Sequence, residues 1–471
     1  MQFKLPAFGL KRLRTHWLIY AGVCVACYLL FFHTDVMQTA NHAYLLLESI
    51  FSGRLPYFYL DVMAHENTLY YIANAYYNIA LYFVFAVFEL PVFIFNAIFS
   101  LPVNETLLFF LGKFVAAVFL FGSLYIFRLI AAELEMDEKT GDLATLAFAL
   151  SPPAFFSVFI MAQYDSVGLF FTLLALLYWL RGRYTLFSFL MGIAVAFKLF
   201  PLFLLVPLIL LVEKRPLHII KHGALSLWLL ELTTLLFWGR TGDSALMSDL
   251  MIVRLFGGIL PMAFDVPAFP LLYAALCLAA FLWNPAKERI KQIGLWLCLA
   301  AYGLLFLWVG WHPQWVLLLV PFLVLTTFAE KHRTPWFWID VLLSAGFFLY
   351  CFIVHPSQLE GNLLDFGIVG LLTGLKTYAP ATVYNPVSFY LLLIRSEIRY
   401  LPMVLFGSAL LVHIAGKIPL TGGTPALRLA GGESGPPPEK TPAFLWLAFG
   451  LPLALWALPV LLTWINCFGW I

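Results

Sequence analysis

Long apolar runs, broken at intervals by short polar clusters, make up most of this chain. A helix needs roughly 20 apolar residues to cross a bilayer, and Lys and Arg in short loops mark the cytoplasmic side. The first run, 17–32, follows Lys4, Lys11, Arg12 and Arg14, so the N-terminus reads as cytoplasmic, with a retained first helix and no cleaved signal. The chain emerges at His33-Thr34-Asp35. A polar stretch then runs to about residue 78, carrying Glu48, Arg54, Asp61, His65 and Glu66. It is too long for a hairpin turn. Within it Ala43, Leu46, Leu47, Ile50 and Phe51 recur at helical spacing, which predicts an amphipathic helix along the membrane surface.

Later basic clusters anchor further cytoplasmic loops: Arg181-Gly182-Arg183, Glu213-Lys214-Arg215, the trio Lys287, Arg289 and Lys291, and Glu330 to Arg333. The runs between them place Gln163-Tyr164-Asp165, a turn at Lys198, the loop 240–267 and Trp311-His312-Pro313-Gln314-Trp315 on the opposite face. The segment after Val354 shares it. The tract 73–103, interrupted by Glu89 and Pro91, reads as two short or broken segments, because that keeps the acidic loop 133–142 cytoplasmic, in agreement with Arg128 and Lys139. A Gly- and Pro-rich cytoplasmic connection, 417–442, precedes a final span within 443–471. The expected fold is an all-α polytopic membrane protein: a bundle of about 11–13 transmembrane helices in a module 1–416, with surface helices in the long outer loop 33–78.

Composition agrees. Of 471 residues 63% are hydrophobic and 11% charged, against roughly a quarter charged in soluble domains. This excludes a soluble enzyme, a disordered chain and a nucleic-acid binder. Cys24 and Cys27 have C-x-x-C spacing but lie inside an apolar run with no second pair, so no metal or redox role is read from them.

Scarce charge makes its placement informative, since an ionisable group at membrane depth asks for a partner or a function. One face collects Asp35, Gln163, Tyr164, Asp165, Lys198, Arg240, Arg254, His312, Arg395 and Arg399 from distant parts of the chain. Asp35 is placed to act as a general base on an incoming hydroxyl, or to cap the next helix. Gln163, Tyr164 and Asp165 suit sugar hydroxyls, though Asp165 also fits a helix N-terminus. Lys198, ahead of Pro201, either snorkels or meets a phosphate. The four arginines fit a phosphate or lipid headgroups. His312 is placed to donate to a phosphate oxygen, while the flanking Trp residues belong at a membrane interface in any case. No His, Asp and Glu spacing specifies a metal site.

These residues carry a resemblance. Asp35 after the first helix, followed by Gly53-Arg54-Leu55-Pro56-Tyr57, resembles the opening of the GT-C glycosyltransferases. Ser151-Pro152-Pro153, Gln163-Tyr164-Asp165-Ser166 and Gly192 through Lys198 to Pro201 are similar to one branch of that superfamily. This branch includes polyprenyl-phosphate-sugar-dependent mannosyltransferase-like proteins and, more distantly, dolichyl-phosphate-glucose glucosyltransferases. His312-Pro313-Gln314-Trp315 resembles its later His-Pro motif, and the likeness runs from about residue 17 to 333. Where the family often has Arg or another polar residue before the Asp, this chain has His33-Thr34.

The resemblance implies an inverting transferase of a bacterial cytoplasmic membrane, acting on its outer face. It would move a mannosyl or glucosyl unit from a polyprenyl-phosphate carrier to a glycan or lipid-linked acceptor. Asp35 matches the general base; Lys198 and His312, assisted by Arg240, Arg254, Arg395 and Arg399, would lie near the donor phosphate. Gln163, Tyr164, Asp165 and Gln314 would meet the sugar or acceptor. Some relatives use a divalent metal, so a metal stays open. Two other readings of the residues stand: a transporter or flippase of a lipid-linked sugar, and a related glycan polymerase or ligase.

Overall fold

A computed structural model describes residues 13–64, 75–238, 252–261, 265–330, 333–354, 367–373, 400–419 and 441–467. It is 83% helical, with a single two-stranded hairpin, β1 (Ile259–Pro261) and β2 (Asp265–Pro267), as its sheet. This is the all-α, polytopic arrangement expected from the apolar runs. Five helices are long and apolar enough to cross a membrane, and three further candidates are bent pairs.

The chain begins with α1 (Arg14–Leu30) and turns through 76° into α2 (Thr34–Phe51). His33 makes this turn possible: its Nδ1 accepts the Asp35 backbone N–H at 3.3 Å, satisfying a donor that the start of a helix leaves open. The short α3 (Phe58–Ala64) leads to α4 (Ile79–Phe99), capped by the Asn78 side chain.

Here the structure corrects the reading of 73–103 as two short or broken segments: α4 is one continuous helix with Pro91 inside it. Pro91 removes one intrahelical hydrogen bond, but Phe85, Ala86, Glu89 and Asn96 are all buried around it and packing holds the helix together. Glu89 marks no loop, for it is fully buried. Both ends of α4 lie on the Asp35 side. Tyr77, just before it, packs edge-on against Tyr164 at 5.0 Å. Glu105, just after it, accepts a hydrogen bond from Asn41 of α2 at 3.3 Å. α4 therefore leaves the direction of the next helix unchanged, and 133–142 falls at the end away from Asp35 without a pair of crossings.

That next helix, α5 (Glu105–Glu133), runs antiparallel to α1, with the Tyr28 hydroxyl on the Phe110 carbonyl at 2.6 Å. It is followed by α6 (Glu138–Ala149) and α7 (Pro152–Phe155), a span bent by 54° at Ser151-Pro152-Pro153. Then come α8 (Asp165–Leu180), α9 (Tyr184–Phe197), α10 (Leu202–Val212), α11 (Pro216–Leu225) and α12 (Trp228–Leu236). The second half comprises α13 (Ala268–Leu282), α14 (Ile290–Trp308), α15 (Val320–Ala329), α16 (Thr334–Val354), α17 (Ile368–Thr373), α18 (Leu401–Gly416) and α19 (Thr441–Cys467).

Charges divide along the helix axes. Glu133 accepts from Arg181 at 3.1 Å and from Lys291 at 3.1 Å, tying the ends of α5, α8 and α14 opposite Asp35. Close approach is built in: a Cβ at Gly294 would fall 2.1 Å from the Trp179 ring, so α14 meets α8 only because position 294 has no side chain.

Two hydrophobic cores form. The larger takes in α5 to α10 and the second half of the chain; the smaller joins α2, α3, α4 and the start of α5. The chain passes between them at Met161 to Ala162 and again at Phe197 to Phe200. The candidate site lies at those two crossings.

Candidate active site

The segment 156–165 is shaped by two departures from α-helix. A π-helical turn covers Phe156–Ile160, and Ala162 has a left-handed φ of 54°. Such a φ costs an alanine roughly 1–2 kcal/mol, and its consequence is the direction of the next side chain. Gln163 is fully buried, and its Nε2 donates to Asp35 Oδ2 at 3.0 Å. The same Nε2 lies 3.3 Å from His33 Nδ1. Because that Nδ1 already accepts the Asp35 backbone N–H, it is the acceptor for Gln163 too. With Nδ1 bare, its 3.6 Å approach to Asp35 Oδ1 is not an ion pair. Gln163 thus holds the carboxylate, and His33 holds the backbone that carries it. The Asp35 side chain stays 36% accessible, with Oδ2 bound by Gln163 and Oδ1 3.6 Å from His33 Nδ1.

Asp165 begins α8, where a carboxylate is favoured by the helix dipole. Its Oδ1 pairs with Lys198, which stands in extended conformation between α9 and Pro201. The Lys198 Nζ also lies over the rings of Tyr164 and Trp315, 5.4 Å from each centroid. Arg254 takes another approach to the same indole at 5.4 Å. Two cations thus share one aromatic surface, a contact worth about 0.5–2 kcal/mol each. Lys198 has a carboxylate partner; Arg254 has none among the described residues. His312 packs on Trp315 with ring centroids 5.0 Å apart, because Pro313 opens the short helical turn that carries both.

Residues of this region carry buried polar atoms without partners among the described residues. Gln163 Oε1, Asp165 Oδ2 and Gln314 Oε1 are buried and make no hydrogen bond among the described residues. Leaving such an acceptor empty costs about 1–3 kcal/mol, so they fit a ligand that brings hydroxyl or amide donors. A recess lined by Tyr164, Asp165, Gly168, Phe197, Lys198, Pro201 and Leu318 opens beside them. Burial, and next the Asp35 carboxylate, raises the Tyr77 phenol above its ordinary range; burial, and next Tyr77, does the same for Tyr164. Both phenols stay protonated and can serve as donors.

The structure therefore joins Asp35, Gln163, Tyr164, Asp165, Lys198, Arg254, His312 and, through Trp315, the motif containing Gln314. Arg240, Arg395 and Arg399 lie outside the described residues. Among the described residues no three His, Cys, Asp or Glu side chains cluster as a metal site. The sequence reading passed over three contributors. His33 works as a cap, which no spacing announces. Trp315 carries both cations, although Trp at an interface ordinarily means only lipid. Lys113, the one charge in α5 between Glu105 and Arg128, had a visible signal in its isolation.

Residues 83–248 match the model of glycosyltransferase family 87, a family of GT-C-type membrane glycosyltransferases. The match takes in Gln163, Tyr164, Asp165 and Lys198 and leaves out Asp35, Arg254 and His312. No curated protein and no solved structure matches the chain. With the apolar helices, the family match supports a multi-pass membrane glycosyltransferase.

Proposed function

We propose that the protein transfers a sugar from a polyprenyl-phosphate carrier to an acceptor hydroxyl on the non-cytoplasmic side of the membrane, with inversion and with Asp35 as general base. The observation that carries this reading is the asymmetric grip on Asp35. Gln163 binds Oδ2, the Asp35 side chain stays partly accessible, and a line of contacts through Tyr164 and Asp165 leads to the cations on Trp315.

In this arrangement the acceptor O–H proton passes to Asp35 as the acceptor oxygen bonds to the anomeric carbon. The carbon–oxygen bond to the phosphate breaks, and its electron pair leaves on the phosphate. Arg254, Lys198 and His312 stabilise that growing charge. Arg254 is the strongest of the three, because Asp165 already neutralises Lys198. Gln163 Oε1 and Gln314 Oε1 accept from sugar hydroxyls. One base and no covalent intermediate give inversion.

The test is transfer by purified protein supplied with polyprenyl-phosphate mannose or glucose, read by mass spectrometry. Asp35→Asn is expected to lower turnover about 10²–10⁴-fold without loss of folded protein; near-normal turnover would remove Asp35 from the role. Movement of the lipid-linked sugar across vesicles with no glycoside formed would replace this reading by a transporter.

A further inference from the structure

Lys113 lies within α5 and its side chain is wholly buried. A cation so placed is costly unless each of its hydrogens finds an acceptor. Its Nζ donates to three backbone carbonyls: Cys27 at 2.8 Å, Tyr28 at 3.1 Å and Phe31 at 2.5 Å. An ammonium has three hydrogens, so the set is complete. Two of these carbonyls belong to the last turn of α1 and the third follows it. The Cys27 carbonyl also accepts the Phe31 backbone N–H at 3.1 Å, and all three lie at the negative end of the helix dipole, where a helix leaves acceptors open. The rings of Phe32 and Tyr28 close on the same Nζ at 4.8 and 5.5 Å. One side chain from a separate helix therefore holds the run 27–32 where the chain turns 76° into α2, directly ahead of His33 and Asp35.

We propose that Lys113 is a positioning residue for the reaction: by capping α1 it sets where α2 begins, and so where Asp35 stands against the donor. This rests on Asp35 being the base. Lys113 touches no substrate and acts through the backbone that carries Asp35. A displacement of about 1 Å at a reacting group lowers rate roughly 100-fold while leaving binding nearly intact.

The experiment compares Lys113→Met, Lys113→Gln and each combined with Asp35→Asn, in the full-length protein with a polyprenyl-phosphate sugar. Lys113→Met is expected to lower kcat about 100-fold with donor KM changed less than twofold. Lys113→Gln, which keeps two donors, should fall between it and the native protein. In the Asp35→Asn background, neither change should lower the residual rate further.

Full turnover by Lys113→Met beside an inactive Asp35→Asn overturns the positioning role and leaves the base assignment standing. Full turnover by Asp35→Asn overturns the base assignment, and this inference with it. A rise in donor KM matching the fall in kcat, additive losses in the double variants, or no folded protein from either Lys113 variant would each show a purely structural lysine.

Discussion

Lys198 and Arg254 touch the same indole but answer to different constraints. Asp165 is buried and holds Lys198 by one oxygen, so Lys198→Ala leaves an unpaired carboxylate in the protein. Such a loss costs about 3–5 kcal/mol, enough to confuse lost binding with lost fold. Arg254 carries no such burden. Arg254→Ala is expected to raise donor KM about tenfold with the melting temperature within a degree or two; an unchanged KM would take Arg254 out of the phosphate site. Lys198→Ala should instead lower thermal stability, and adding Asp165→Asn should recover part of it. Thermal melts of the single and double variants distinguish the two arginine and lysine roles. From the sequence the two looked alike, both cations on one face. Their difference comes from Asp165, whose pairing with Lys198 across 33 positions is set by how α8 and α9 pack.

At the scale of elements, the informative features are departures from regular helix. α6 and α7 bend at Ser151-Pro152-Pro153, where the prolines themselves are a visible announcement of a break. The π turn at Phe156–Ile160 and the left-handed Ala162 had no such announcement, since their residues are ordinary helix and strand formers. Packing imposes them. Ala162→Gly is expected to gain up to about 1 kcal/mol, because glycine accepts this φ without strain. Ala162→Val should cost a further ~1 kcal/mol or more, since a branched side chain fits this φ worse than alanine does, and should depress turnover by moving Gln163 off Asp35. Stability by chemical denaturation and turnover on the same samples test both; turnover unaffected by valine would show that Gln163 does not depend on this turn.

Taken whole, the molecule follows its charges. The alternation of basic loops and apolar runs was enough to read a polytopic helical bundle and to separate Glu133, Arg181 and Lys291 from Asp35, Gln163 and Lys198. What it misread was α4, whose length and composition are those of a span. Only contacts show that both its ends meet the Asp35 side, through Tyr77 and Glu105. A cysteine at Leu101, an exposed position past the end of α4, is expected to react with a membrane-impermeant maleimide from the outside; one at Arg183 should react from the cytoplasm. Both reacting from one side would contradict this topology.

The passage of the chain between two hydrophobic cores at residues 161–162 and 197–200 has a thermal consequence. Asp35 rides on the smaller body, while Trp315 belongs to the larger one. The candidate site thus lies along the joint of two cores that share α5, α8 and α9, and its geometry answers to how they pack before it answers to the melting of either. Warming, or a detergent that loosens the joint, should extinguish transfer several degrees below the loss of helical circular dichroism. The native enzyme would then lose activity while still looking folded.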